Sequence, residues 1–172
     1  MAAQTFRTDS HIEEIIEKYQ SMVYKIALTH TRNQSDADDV FQQTFLIYCS
    51  KNLLFHDEEH RKAWFIRTAI NCSKKITFSS WRNKTVLLDE VPGESFQFTL
   101  EDENAVFIAI KELPEKYRTV IHLYYFEELS VKRISCILKI RAGTVRMQLL
   151  RGREMLREKL KGDYFDETSN IS

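Results

Sequence analysis

The chain of 172 residues has little glycine, proline or cysteine: it contains four glycines, two prolines and three cysteines. A turn-rich all-β fold is excluded, because tight turns between strands depend on glycine and proline. The cysteines, Cys49, Cys72 and Cys136, are odd in number and lack CxxC spacing, which argues against a disulfide framework or a zinc site. We expect three small, buried, reduced side chains of the kind found in cytosolic proteins.

Long hydrophobic runs are also missing. The longest one, Val106 to Ile110, is far shorter than the roughly 20 apolar residues that a membrane-spanning helix needs. The first residues, MAAQTFRTDSHIEE, lack the basic and then apolar pattern of a secretory signal. These two features predict a cytoplasmic protein.

The motifs of a catalytic site are not found either. The sequence contains no glycine-rich phosphate loop, no cysteine–histidine pair and no carboxylate dyad in an apolar stretch. His56 and His60 have helical spacing, but no second pair of ligands accompanies them, so we expect a solvated loop and no metal. The sequence therefore predicts a protein that is not an enzyme and holds no cofactor.

The net charge is zero, but the charges are divided into blocks along the chain. Residues 61–84 carry seven basic and no acidic side chains, and residues 130–161 carry ten basic and two acidic ones. Residues 1–60 and 85–129 each carry ten acidic side chains, against five and three basic ones. Two basic blocks in acidic surroundings predict two contacts with a polyanion, and two solvated helix faces are the simpler alternative.

Apolar residues recur at three- and four-residue spacing through most of the chain, which predicts amphipathic helices. In the first half we expect one helix around 12–26, a second with its N-cap at Ser35, and a third from Lys62 onward. The periodicity fails in the acidic stretch 85–103, which is the natural linker. The predicted fold is all-α, with an N-terminal helical bundle and a C-terminal helix-turn-helix domain joined by a flexible acidic linker.

The basic block 130–161 predicts a short helix, a tight turn and a longer basic helix. This order is typical of a helix-turn-helix, whose second helix lies in the major groove of DNA. Side chains near the start of the second helix would reach base edges, and those further along, Arg153, Arg157 and Lys159, would meet phosphates. The apolar positions of the two helices are Ile134, Ile137, Leu138, Val145, Leu149, Leu156 and Leu160, with Gly152 on the same side.

Three blocks of the sequence together resemble the sigma-70 superfamily, the specificity subunits of bacterial RNA polymerase, in its extracytoplasmic-function (ECF) branch. They are IIEKYQSMVYKIALTHTRNQSDADDVFQQTFLIY, KAWFIRTAINCSKKITFSSWRNK, and LPEKYRTVIHLYYFEELSVKRISCILKIRAGTVRMQLLRGREMLREKL. The resemblance implies a sigma factor that binds core RNA polymerase, directs it to promoter DNA and is held inactive by an anti-sigma factor. The implied domains are 1–84 for polymerase docking and the −10 element, the linker 85–103, 104–162 for the −35 element, and a disordered tail at 163–172.

The resemblance also implies which side chains of the N-terminal domain meet partners. A docking helix would bind the largest polymerase subunit, and a loop with the helix that follows would hold the −10 element as a separated strand. Trp64 is expected in the core, whereas two alternatives stay open for Trp81: a core position or a contact with DNA. The implied docking residues are Asp36, Asp38, Asp39, Gln42, Gln43 and Phe45, and the implied −10 residues are Phe55, Arg61, Lys62, Asn71, Lys74 and Lys75.

In the C-terminal domain the chain departs from the family pattern at the turn of the helix-turn-helix. Lys139 stands where glycine is usual, and Arg141 where a capping serine is usual. The alternative reading is a stand-alone helix-turn-helix regulator with an N-terminal dimerisation or sensor domain, which leaves the second basic block unexplained. The implied −35 residues are Thr144, Arg146, Met147, Leu150, Arg151, Arg153 and Arg157.

Overall fold

The computed structural model describes residues 9–31, 33–83 and 105–168, with the side chains of 80–83 and 163–168 left out. These ranges form helices and contain no strand, which confirms the predicted all-α class. None of the described helices combines the length and the apolar composition that crossing a bilayer requires. The helices are α1 (Asp9–His30), α2 (Gln34–Ser50), α3 (Glu58–Asn83), α4 (Ala105–Lys111), α5 (Glu115–Tyr125), α6 (Val131–Leu138) and α7 (Ala142–Thr168).

The contacts between helices divide the chain into two compact units. The first unit contains α1, α2 and α3, each of which packs on the other two, and the second contains α4 to α7. The two predicted helical domains are therefore confirmed. The predicted linker lies outside the described residues, and α7 continues to Thr168, past the expected domain end at 162. The domain bounds themselves stay predictions.

Aromatic rings form the centre of the first unit, where all three helices meet at Phe65 of α3. Phe65 is fully buried, and the Tyr19 ring of α1 stacks on it with 4.7 Å between ring centroids. From α2, the rings of Phe45 and Tyr48 lie 5.4 and 5.0 Å from the same ring. Each aromatic side chain buries a large apolar area, so this cluster stabilises the bundle and fixes how the helices cross.

The starts of α2 and α3 differ from the sequence-based expectations. The N-cap of α2 is Asn33 and not Ser35, because the Asn33 Oδ1 accepts from the Asp36 amide at 2.7 Å. Helix α3 begins at Glu58, before the expected Lys62. The cap there is the Asp57 carboxylate, which accepts from the His60 amide at 2.7 Å. Asn33 and Ser35 are both residue types that cap helices, so the sequence alone does not select between them, and at α3 the apolar periodicity places the start too late.

In the second unit α7 packs against α4, α5 and α6, and one glycine sets its distance from α5. A Cβ atom built on Gly152 would lie 2.9 Å from Ile121 Cγ1 and 3.2 Å from Ile121 Cδ1. Ile121 is buried, at 1% exposure, in a core that also contains Leu123, Ile134 and Val145. The glycine therefore allows an approach of the two helices that a larger residue would prevent.

The expectation that all three cysteines are buried is wrong for two of them. Cys72 is buried in the first unit, and burial raises the pKa of its thiol. Cys49 and Cys136 are exposed, because each lies on the outer face of its helix. None of the three forms a disulfide.

Replacement of Gly152 by alanine tests the close approach of α5 and α7. We expect Gly152→Ala to destabilise the second unit by about 1–3 kcal/mol, because the new methyl group must displace the buried Ile121 side chain. Gly143→Ala is the matched control on the same helix, since a Cβ there meets no atom within 4 Å. Urea unfolding followed by circular dichroism measures both variants, and equal midpoints would contradict the packing role of Gly152.

Candidate nucleic-acid interface

The second unit contains a helix-turn-helix formed by α6, a short turn and the start of α7. Ser130 caps α6 by accepting from the Arg133 amide at 3.2 Å. Ser135 holds the turn: its carbonyl accepts from the amides of Lys139 and Ile140, and its hydroxyl donates to the Ile140 carbonyl at 2.6 Å. Three hydrogen bonds to one residue fix the angle at which α7 leaves α6.

Two residues with left-handed backbone bracket α6. Glu128, before the helix, has φ 52°, and Lys139, at its C-cap, has φ 56° and ψ 42°. Glycine adopts this conformation without a steric penalty, and a residue with a side chain does not. Lys139 therefore occupies a backbone position that favours the glycine usual in the family.

The outer face at the start of α7 is exposed, as predicted. Val145 and Leu149 are buried, so the opposite face of the helix is turned to solvent. Met147 and Leu150 are about half exposed, at 53% and 50%. Two apolar side chains left in water between cations suit contact with base edges, where thymine presents a methyl group. The exposed members of the predicted −35 set are Thr144, Arg146, Met147, Leu150, Arg151 and Arg157.

Arg153 differs from the rest of the predicted −35 set because it is half-buried between helices. Its Nε donates to the Tyr125 hydroxyl at 2.6 Å. Its guanidinium lies 5.5 and 5.6 Å from the ring centroids of Tyr124 and Tyr125. Arg153 thus joins α7 to α5, although a guanidinium has five donors and can also reach a phosphate. Lys159, further along, pairs with Glu112 at 2.8 Å.

In the first unit, the loop before α3 is built around Phe55. The Phe55 ring lies 6.5 Å from Tyr48 and 6.1 Å from Trp64, and the Arg61 guanidinium lies 5.3 Å from it. Trp64 is half-buried and also meets Phe65, which fits the core interpretation. Phe55 therefore anchors the loop. The neighbouring leucine, Leu54, is left 92% exposed.

Glu58, at the first turn of α3, connects this loop to α1. Its carboxylate accepts from Lys18 Nζ at 2.7 Å and from the Tyr19 hydroxyl at 2.5 Å, and it also pairs with Arg61. The hydrogen bond from Lys18, with those of its other partners, lowers the pKa of the Glu58 carboxyl. The Arg61 guanidinium thus pairs with Glu58 and lies over the Phe55 ring, and its side chain is only 20% exposed.

The basic face of α3 is a row of exposed side chains one and two turns apart. Asn71, Lys74 and Lys75 are exposed and share this face, as their spacing predicts. Phe78 continues the row one turn further and is 61% exposed. Sequence reasoning missed Phe78, although its position seven residues after Asn71 could have revealed it. Cations beside an exposed aromatic ring are typical of surfaces that bind single-stranded nucleic acid. Lys62 is half-buried, and the side chain of Trp81 lies outside the described residues.

The predicted docking residues of α2 differ in exposure, and Asp36 and Asp38 are half-buried. Asp39, Gln42 and Gln43 are exposed, whereas Phe45 is only 6% exposed and packs in the aromatic core. Phe45 belongs to the apolar stripe of α2 and positions the helix, and its contact with a partner stays a prediction. Leu46, which sequence reasoning missed, is 62% exposed and lies one turn beyond Gln42 and Gln43.

The acidic start of α2 concentrates negative charge. Burial and the neighbouring carboxylates of Asp36 and Asp38 raise the pKa of Asp39. The Asp38 carboxylate also accepts from the Tyr24 hydroxyl at 2.9 Å, and burial with this hydrogen bond raises the pKa of Tyr24 to about 12. Three carboxylates within one turn repel each other, and cations from a partner would relieve that repulsion.

His56 and His60 stabilise the loop through each other. Their rings stack with 5.4 Å between centroids, and His60 Nδ1 accepts from the His56 amide at 3.3 Å. In the parts of the chain that the structure describes, no group of three histidine, cysteine or carboxylate side chains is arranged to hold a metal ion.

Comparison with known proteins places both units in one family. The sigma-70 region 2 family matches residues 15–82, and the sigma-70 region 4 family matches residues 108–156. The ECF RNA polymerase sigma factor SigW of Bacillus subtilis is 30% identical over 86% of this chain and 88% of its own length. SigM of the same organism is 27% identical over 85% of this chain and 93% of its own length.

A solved structure of the sigma factor RpoE from Bartonella quintana, in complex with the anti-sigma factor NepR, has a similar fold. It aligns with a TM-score of 0.66 and 19% identity over 87% of this chain and 96% of that chain. CnrH, solved in complex with the cytosolic domain of CnrY, aligns with the same TM-score over 91% of each chain. The fold and the family matches together define a bacterial transcription initiation factor. The chain belongs to the sigma-70 family, among the ECF RNA polymerase sigma factors.

The left-handed conformation at the turn leads to a test of Lys139. We expect Lys139→Gly to stabilise the second unit by about 1 kcal/mol, because glycine relieves the steric cost of positive φ. Thermal unfolding measures the gain. Lys132→Gly is the control, since Lys132 lies within α6 and glycine should destabilise the helix there by a similar amount. A loss of stability in Lys139→Gly would contradict the prediction that the backbone conformation of Lys139 is strained.

Proposed function

We propose that the chain binds core RNA polymerase and directs it to specific promoters, where the first unit reads the −10 element and the helix-turn-helix reads the −35 element. The observation that carries the proposal is the separation of two basic faces, one on α3 and one on α7, onto two helical units of one chain. A regulator that binds duplex DNA alone needs only the second face. The proposed activity is recognition, and catalysis belongs to the polymerase.

At the −35 element, α7 supplies the proposed base contacts. Arg146 is exposed near the start of the helix, where a guanidinium can bind the O6 and N7 atoms of guanine with two hydrogen bonds. Met147 and Leu150 supply apolar contacts beside it. Arg157 lies two turns beyond Leu150 and is suited to binding a phosphate, a contact that contributes affinity without sequence preference.

At the −10 element, the proposed ligand is a separated strand along α3. Asn71 can bind a base edge, and Lys74 and Lys75 can neutralise phosphates. Phe78 is exposed in the same row and can stack on an unpaired base. The loop anchored by Phe55 lies at the start of the same helix, and its packing supports a preformed surface.

The proposed polymerase contact is the outer face of α2. Acidic side chains at its start can pair with basic residues of a partner helix, and Leu46 beside Gln42 and Gln43 can bury apolar area. Since the Bartonella quintana sigma factor of the same fold was solved with an anti-sigma factor, we include an anti-sigma partner in the proposal. A cytoplasmic location follows from these partners.

Replacement of Leu46 tests the docking face. We expect Leu46→Asp to abolish pulldown of core RNA polymerase and to leave the unfolding temperature almost unchanged, because the side chain is 62% exposed. Gln42→Lys should also abolish the pulldown at an almost unchanged unfolding temperature, because the polar contacts of Gln42 with the polymerase are lost. Glu17→Lys, an exposed charge change on α1, is the control and should keep full binding. Retention of polymerase binding by Leu46→Asp would exclude α2 as the docking helix.

Replacement of Arg146 tests promoter reading. The reconstituted holoenzyme is used to select active promoters from a library with a randomised upstream element. We expect Arg146→Ala to lose the preference at one base pair, at a cost of about 1–3 kcal/mol for the preferred base. Arg157→Ala should instead weaken binding equally for all sequences. If the unaltered chain binds these duplexes equally well without core polymerase, the stand-alone regulator is the better description.

A further inference from the structure

A polar cleft runs along the second unit between the start of α5 and the start of α7. Its volume is about 430 Å³. Exposed side chains of the predicted DNA face form one wall, and the first turn of α5 forms the other, which the sequence did not connect with DNA. The lining residues are Lys116, Tyr117, Gly143, Thr144, Met147, Gln148 and Arg151.

The close approach of the two helices at Gly152 determines which residues share this cleft. A Cβ on Gly152 would lie 3.5 Å from Tyr117 Cβ, so the start of α5 is level with the third turn of α7. This alignment places Lys116 at the same end of the cleft as Gln148 and Arg151, whereas Thr144 lies towards the N-terminus of α7. The cleft therefore has a cationic end and an end that faces the expected position of the bases.

The charges at the cationic end favour an anion. Lys116 and Arg151 are exposed, and the Lys116 ammonium lies 4.9 Å from the Tyr117 ring centroid, which holds it beside the cleft wall. Gln148 is half-buried, lines the same cleft and can donate through its amide. Glu115, next to Lys116, does not line the cleft, and none of the lining residues is acidic.

We infer that the cationic end of this cleft binds one phosphate of the promoter DNA backbone, held by Lys116, Gln148 and Arg151 together. The inference rests on the proposed function, because it assumes duplex DNA on the outer face of α7. Phosphate contacts fix the register of a recognition helix without reading sequence. Lys116 and Arg151 are then positioning residues that set how Thr144, Arg146 and Met147 meet the bases.

The salt dependence of binding tests the shared phosphate. Binding of the reconstituted holoenzyme to a labelled promoter duplex is measured by fluorescence anisotropy over a series of salt concentrations. The slope of log K against log salt falls by about 0.9 for each phosphate contact that is lost. We expect the double variant Lys116→Ala/Arg151→Ala to lose about 0.9, and each single variant to lose affinity with a smaller change of slope, because the remaining cation still neutralises the phosphate.

Lys25→Ala is the control, because Lys25 is an exposed lysine of α1 that lies outside the cleft and outside both basic blocks. It should leave the slope unchanged. A double variant that loses roughly twice the single-phosphate slope would show two separate phosphates and overturn the shared site. An unchanged slope, or an altered base preference in Arg151→Ala, would also overturn it. Failure of the unaltered holoenzyme to select any promoter over core polymerase alone would contradict the proposed function as well.

Discussion

The burial of the Phe65 ring is the interaction on which the whole first unit depends. It is the point where α1, α2 and α3 meet, and Tyr19, Phe45 and Tyr48 all contact it. Because the rings fill the inner faces of three helices, the opposite faces are left to solvent in fixed directions. The acidic face of α2, the loop anchored at Phe55 and the basic face of α3 all take their positions from this one cluster.

Segregation of charge between faces explains how a chain of zero net charge can bind DNA. The carboxylates at the start of α2 belong to a face suited to a protein partner, and the cations of α3 and α7 belong to faces suited to phosphates. Burial and the neighbouring carboxylates of Asp36 and Asp38 raise the pKa of Asp39, and a cation from a protein partner would offset this unfavourable charge. Affinity for DNA thus depends on local blocks of charge and not on the average.

Periodicity and charge were sufficient to predict the helical class, the two units and the helix-turn-helix. Exposure on the recognition face could also be predicted, since Val145 and Leu149 define the inner side of α7. The starts of α2 and α3 could not, because Asn33 and Asp57 act through hydrogen bonds that leave no apolar pattern. The docking role of Phe45 came from the family resemblance and stays a prediction: the ring is 6% exposed on the inner stripe of α2, whereas the next residue, Leu46, faces solvent. The cleft beside Lys116 could not be predicted either, because it depends on how α5 and α7 cross, and the pattern of a single helix does not contain that angle.

The left-handed residues on both sides of α6 favour local unfolding of this helix before the rest of the second unit. Glu128 and Lys139 each hold a costly backbone conformation, and α6, at eight residues, is short. Local unfolding of α6 exposes Ile134 and Ile137, but it releases both strained residues and gives up few helical hydrogen bonds. Opening of the longer α7 costs more, because α7 packs on α4, α5 and α6 together. The amides of α6 should therefore exchange with deuterium before those of α7. Within the helix-turn-helix, α6 is therefore the helix that opens at the lower free-energy cost, and α7 is the more stable one.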